Sequence, residues 1–163
     1  MTFIFDSGPL LYLGKAKLLG KLVKLGEKLI IPKSVYREVV EIGLEKGFED
    51  AAYVKDLIDS GVFLVKSPKN KLKVKGISEA DKETLELAKE LGGIAITDDQ
   101  KLRSVCSIEK VDSAGSIFLI FVLVKNKALK KDDAKKAIDR MIDFGWYCST
   151  DLYATIINSL IDH

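Results

Sequence analysis

The chain has 163 residues, with 26 Lys and Arg against 24 Asp and Glu and a formal net charge of +2. It is therefore the size of one domain, and no global field demands a polyanionic partner. Its one histidine is the last residue, His163, which leaves no positioned imidazole for Ser/His or Cys/His nucleophilic chemistry, so any chemistry must run on carboxylates, lysines or hydroxyls.

Taken in order, Phe3-Ile4-Phe5 is a compact apolar run that ends in Asp6, followed by Ser7-Gly8-Pro9. That pattern predicts a strand, a turn and a proline-initiated helix, with Asp6 at the strand's carboxyl end or capping the helix. A short helical stretch through Leu18, Leu19, Leu22, Val23 and Leu25 stops at Gly26, and Leu29-Ile30-Ile31-Pro32 predicts a second strand closed by proline. From Ser34 to Glu45 the apolar positions Val35, Val39 and Ile42 recur at helical spacing, and Glu38 falls at the border of that stripe. A carboxylate there can reach into a crevice at the strand ends, or simply sit solvated near a helix amino terminus.

Phe48 to Ser60 predicts another amphipathic helix ended by Gly61, and Val62 to Val65 a third strand. Between Lys66 and Lys75 stand five lysines and no acid. Lys71 and Lys73 alternate with Leu72 and Val74, which reads either as a basic flap touching phosphates or as an edge strand guarded by lysine. In the helix from Ile77 to Leu91, Glu79, Glu83, Glu86 and Glu90 share one face, read as solvated. Asp81 instead lies one and two turns before Leu85 and Ala88, so it is the acid on the inward side, unless it completes a capping box with Ser78.

Ile94-Ala95-Ile96 predicts a fourth, buried strand, and the chain leaves it through Thr97-Asp98-Asp99. In an open α/β sheet the carboxyl ends of the strands form the ligand crevice, so acids there can meet acids from other strand ends. A short helix with Leu102, Val105 and Cys106 follows, and Ile108 to Val111 predicts a fifth strand ending in Asp112, a helper carboxylate or a cap. Ile117 to Val124 is far short of the roughly 20 apolar residues that span a bilayer and reads as a buried helix. Helices from Asp132 to Phe144 and Asp151 to Ile161 close the chain. Cys106 and Cys148 have no metal-type spacing and no secretory leader precedes them, so they are expected as core thiols in a reducing, cytoplasmic compartment.

Asp6, Glu38, Asp81 and Asp98 are thus acids expected near one end of a parallel sheet. Packed carboxylates repel and raise one another's pKa unless a cation shares them. Oxygen-only ligands select a hard ion, magnesium or manganese, and the chemistry that follows is metal-assisted phosphoester hydrolysis.

The series FIFDSGPLL, IIPKSVYREVV, ISEADKETLELAKELGGIAITDDQKL and the closing helix after GWYCSTDLY resembles the PIN-domain family of metal-dependent ribonucleases. It is most similar to the small prokaryotic members paired with antitoxins. The resemblance implies a three-layer α/β/α fold around a mostly parallel sheet of about five strands, formed by residues 1–163 as one domain. It also implies Mg2+ or Mn2+ and endonucleolytic cleavage of RNA. By position, Asp6 matches the family's first-strand acid, Glu38 the helix acid, Asp81 the third and Asp98 the fourth, with Asp99 beside it as a further metal ligand. The chain departs from the family at Gly8, where Ser, Thr or Asn is frequent, and Ser7 is expected to substitute in binding metal or phosphate. Lys71 and Lys73 are expected at the substrate.

The expectation is a metal-dependent endoribonuclease, the toxin of a toxin-antitoxin pair, with an antitoxin over its crevice and a homodimeric state. The alternative is a PIN-like RNA-binding or regulatory module with weakened catalysis. Phosphoryl transfer through an aspartyl intermediate ranks below both, because position 8 is glycine and no acid follows the third predicted strand.

Overall fold

A computed structural model describes residues 1–162; His163 lies outside the described residues. Five strands form one sheet: β1 (Thr2–Phe5), β2 (Lys28–Pro32), β3 (Leu64–Lys66), β4 (Ile94–Ile96) and β5 (Ser113–Ala114). Their order across the sheet is β3-β2-β1-β4-β5, and every pairing is parallel. The first crossovers build outward from β1 in one direction and the last in the other. The order therefore reverses between β1 and β4, the place where an open α/β sheet leaves a crevice at its carboxyl edge.

Strand periodicity divides the core in two. Phe3, Phe5, Leu29, Ile31 and Ile96 face the larger cluster, whereas Ile4, Ile30 and Ala95 face the smaller one. A parallel sheet must be covered on both faces, and the helices do this. The smaller cluster is closed by α5 (Glu79–Leu91) and α6 (Gln100–Ile108) through Leu85, Leu87, Ala88, Leu102 and Cys106. The larger lies under α1 (Ser7–Lys15), a 3-10 stretch (Leu19–Leu25), α2 (Lys33–Tyr36), α4 (Glu49–Asp59), α7 (Ser116–Lys125), α8 (Lys131–Asp143) and α9 (Thr150–Asp162). The result is the expected three-layer α/β/α architecture. No helix among the described residues is long and apolar enough to cross a membrane.

The helix expected from Ser34 to Glu45 is continuous from Lys33 but contains a wide π-helical turn over Arg37–Glu41, before α3 (Ile42–Glu45). Glu38 sits in that turn, an irregularity that is frequent at functional sites.

Three expectations are corrected. The run Ile108–Val111 is not a strand: α6 continues through Ile108, which is 79% exposed, and the backbone turns through Lys110 at positive φ. Only Val111 is buried there, against the smaller cluster. The strand is the two-residue β5, so Asp112 precedes it instead of ending it, and serves through its carbonyl, which accepts from the Ala95 N–H at 2.9 Å.

Residues 71–75 pair with no strand; the sheet edge is β3, itself short and ending in Lys66. They form an extended strap whose Leu72, Val74 and Ile77 pack on the smaller cluster. The glutamate face of α5 is not solvated either, for Glu83 and Glu86 are buried. Glu86 accepts from the Leu72 N–H at 2.9 Å, Glu90 from those of Lys69 and Asn70, and Glu83 from that of Ser34. These carboxylates fasten the strap and the start of α2, the backbone donors that form no sheet ladder.

Candidate active site

The carboxyl ends of β1 and β4 deliver Asp6 and Thr97-Asp98-Asp99 to the switch point. Asp6 is only 7% exposed. It caps α1, which begins at Ser7 two residues before the expected proline start, so the capping and crevice readings of this residue hold together. Its Oδ1 accepts from the Ser7 N–H at 2.8 Å and its Oδ2 from the Thr97 hydroxyl at 2.7 Å. The Thr97 oxygen in turn accepts from the Asp99 N–H at 3.1 Å. Thr97 is fully buried, so this relay joins the two strand ends through a hydroxyl with no access to water.

Asp81, in the first turn of α5, brings a second carboxylate beside the first. Ser78 caps that helix by accepting the Asp81 N–H at 3.1 Å, which takes care of Asp81's backbone while its side chain is felt by Asp6. Burial pushes the Asp6 carboxyl up to about 6, with the Thr97 hydrogen bond opposing and the Asp81 charge adding to the rise. The same charges reach α6: burial first, then Asp6, push the Cys106 thiol up to about 11. Cys106 is therefore a protonated core thiol at neutral pH, as expected, and Cys148 is half-buried.

Glu38 reaches the site through Ser7, whose hydroxyl donates to its Oε2 at 2.9 Å. Ser7 thus bridges the first two acids, by its N–H to Asp6 and its O–H to Glu38. Gly8 leaves open space, for a Cβ built there meets nothing within 4 Å.

Asp98 is differently engaged. Its Oδ1 accepts from the Ser116 N–H at 2.7 Å and its Oδ2 from the Ser116 hydroxyl at 2.6 Å. It caps α7 from another segment, and a Cβ at Gly115 would stand 2.7 Å from its Oδ1, so only glycine lets the carboxylate so close. Asp99 is exposed and caps α6, accepting from the N–H groups of Lys101 at 2.8 Å and Leu102 at 3.1 Å. Lys71 and Lys73 are exposed on the strap, Lys71 Nζ lying 3.9 Å from Glu79, two residues before Asp81.

The structure therefore gathers Asp6, Ser7, Glu38 and Asp81, ties Asp98 to α7 and spends Asp99 as a cap. Sequence reading missed Thr97 and Ser116, which hold the acids in place. A hydroxyl beside TDD was visible, but its partner is 91 residues away.

Among the described residues, no three His, Cys, Asp or Glu side chains converge closely enough to hold a metal ion by themselves. Magnesium does not require that, since it is commonly held by one or two carboxylates, waters and a substrate phosphate. Asp6, buried, and Asp81, half-buried beside it, are two carboxylates whose repulsion a shared cation would relieve, and an oxygen-only donor set of this kind suits a hard ion.

The family model DUF3368, described as a PIN domain, matches residues 2–162. The chain belongs to the PIN-domain family. Its members are generally nucleases that use divalent metals. Among solved structures, the PIN fold is similar to a PilT N-terminus domain protein, SSO1118, from the hyperthermophilic archaeon Sulfolobus solfataricus P2. That likeness has 17% identity and a TM-score of 0.56 and covers 80% of this chain and 95% of that one. A domain of a functionally unknown protein from Methanocaldococcus jannaschii DSM 2661 matches at 17% identity and a TM-score of 0.49, over 70% of this chain and 89% of that one. No curated protein matches the chain.

Proposed function

We propose that this PIN domain is a divalent-metal-dependent endoribonuclease that hydrolyses RNA phosphodiester bonds in the crevice over β1 and β4. The observation that carries the reading is the buried Asp6 with the half-buried Asp81 beside it, and Glu38 joined to Asp6 through Ser7 at the sheet's switch point. Asp6 and Asp81 would hold Mg2+ or Mn2+, with Glu38 and Asp98 as the further acids of the site; when bound, the ion would supply an activated water and positive charge against the attacked phosphate.

The protein's own groups provide preorganisation. The Ser7 N–H and the Thr97 hydroxyl each fix one oxygen of Asp6, so its orientation requires no rearrangement during reaction. The Ser7 hydroxyl holds Glu38 on its π-helical turn. Lys71 and Lys73, on the strap beside the start of α5, are assigned to phosphate contact, an interaction that falls off with salt. We assign the chain to the toxin side of a toxin-antitoxin pair, with the antitoxin seated over this crevice; a complex that leaves the crevice active contradicts that placement.

One observation favours a second reading, an RNA-binding or regulatory module with weakened catalysis: both Asp98 oxygens are engaged by Ser116. The experiment that separates them incubates the protein with a mixed pool of single-stranded and structured RNA, in manganese, magnesium or chelator, beside Asp98→Asn. Fragments that need a divalent ion and vanish in the variant support the nuclease. RNA retained without fragments in either metal supports the binding module.

A further inference from the structure

α7 is apolar on every side, yet the fold covers only part of it. Leu119, Ile120 and Leu123 are fully buried, whereas Phe118, Phe121, Val122 and Lys125 follow one another at i, i+3, i+4 and i+7 along the outer face. Phe118 is 37% exposed. A helix apolar all round is normally enclosed, yet this outer stripe is only partly covered, through the inner side of Phe121 and the edge contact of Phe118 with Phe3. With Val124, Leu129 and Ser159 it lines a groove of about 1010 Å³.

The rim of that groove has one sign of charge. Lys125, Lys127, Lys130 and Lys131 all line it, and no acid does. Among the described residues none of these four lysines makes an ion pair. Among the described residues Lys131 Nζ donates to the carbonyl of Ile161, at 3.3 Å. Asp132 and Asp133, in the exposed first turn of α8, and Asp162, beside Ile161 at the end of α9, lie outside the lining. None of the candidate site acids lines the groove.

We propose that this groove is a docking site for an acidic amphipathic helix of a partner protein, its apolar anchors lying along α7 and its carboxylates meeting the lysine rim. Anchors at i, i+3 or i+4 and i+7 are how such a helix fills a groove. Charge complementarity selects the occupant. A second copy of this chain would bring the same four lysines against themselves, and like charges across an interface disfavour association. Single-stranded RNA would find the lysines but needs successive ring faces presented as stacking platforms; here Phe121 is half-buried, and Phe118, the exposed ring of the lining, is engaged in a T-shaped pair with Phe3.

The test titrates the full chain, in chelator, into a labelled synthetic helix of about fourteen residues with leucine at i, i+3, i+4 and i+7 and glutamate elsewhere. The same peptide with lysine for glutamate and a labelled oligouridine serve as controls, and anisotropy is the readout. The acidic peptide is expected to bind at least tenfold more tightly than the basic one and to weaken as salt rises. Val122→Glu should abolish the binding, and the triple variant Lys125→Glu, Lys127→Glu, Lys130→Glu should reverse the preference. The lysine positions are exposed, so the triple variant reports on docking even where Val122→Glu disturbs packing. Equal binding of both peptides, no binding of the acidic one, or indifference to the triple variant overturns the proposal. So does oligouridine binding lost in that variant, which marks an RNA surface, or a concentration-dependent dimer lost in Val122→Glu, which marks a second copy.

Discussion

At the scale of single residues, the site depends on two hydroxyls that carry no charge. Thr97 donates to Asp6 and accepts from the Asp99 N–H, so Thr97→Val removes both bonds at once while keeping the volume. A residue that orients a metal-binding carboxylate typically matters about 10–100-fold in affinity or activity. Thr97→Val should therefore lower manganese affinity and metal-dependent cleavage on that order, and Thr97→Ser should restore most of both; equal loss in the two variants would argue against positioning.

Asp6 also gives a pH dependence of known sign. Its folded pKa of about 6 lies above its ordinary value of 3.8, so the folded state holds a proton there that the unfolded chain has released. The stabilisation from that proton is present at the acid end and is lost as pH rises through about 6, on the order of 3 kcal/mol for a shift of this size. Asp6→Asn is insensitive to this titration. In chelator, the melting temperature of Asp6→Asn relative to wild type should climb between pH 5 and pH 7.5; a constant difference would show that burial and the Asp81 charge do not raise the Asp6 carboxyl. These residues differ in how visible they were. Acids at strand ends are legible because burial there needs a reason, whereas Thr97 and Ser116 gain their roles only when distant segments meet.

At the scale of elements, α5 shows why an amphipathic pattern can mislead. Glutamates at i, i+4, i+7 and i+11 look like a solvated face, since periodicity separates apolar from polar but does not say what the polar side meets. Here it meets backbone: the strap and the start of α2 present N–H groups that no strand pairs, and Glu83, Glu86 and Glu90 accept them. Glu86→Ala should leave the Leu72 N–H without its acceptor and cost about 1–3 kcal/mol, with trypsin cutting faster at Lys71 and Lys73. Glu86→Gln keeps an acceptor for that N–H and should remain close to wild type; equal sensitivity of both variants would mean the strap is held by its apolar residues alone. The misplaced fifth strand has a similar origin. Ile108 and Val111 look like strand residues, but α6 ends on one and the core takes only the other, leaving two residues to pair with β4.

At the scale of the whole molecule, the strand order was beyond reach of the sequence, although the class of fold was not. Strands with helices between them imply a parallel sheet, yet only the pairing of β1 with β4 brings Asp6 within hydrogen-bond reach of Thr97. The PIN domain is thereby given two distinct surfaces, a carboxylate crevice at the sheet's carboxyl edge and a lysine-rimmed apolar groove along α7. The first holds the Asp6 carboxyl, raised by burial and further by the Asp81 charge, and a cation shared by those two acids is the centre of the functional reading.

The most direct test is calorimetric titration of manganese into the wild type, Asp6→Asn and Asp81→Asn at pH 6 and pH 8, in buffers of different ionisation enthalpy. The account predicts that wild type binds manganese at both pH values, releasing about half a proton near pH 6 and almost none at pH 8, and that each variant binds at least tenfold more weakly. Binding of equal strength in all three proteins, or none in the wild type, would contradict the claim that this carboxylate pair is a cation site.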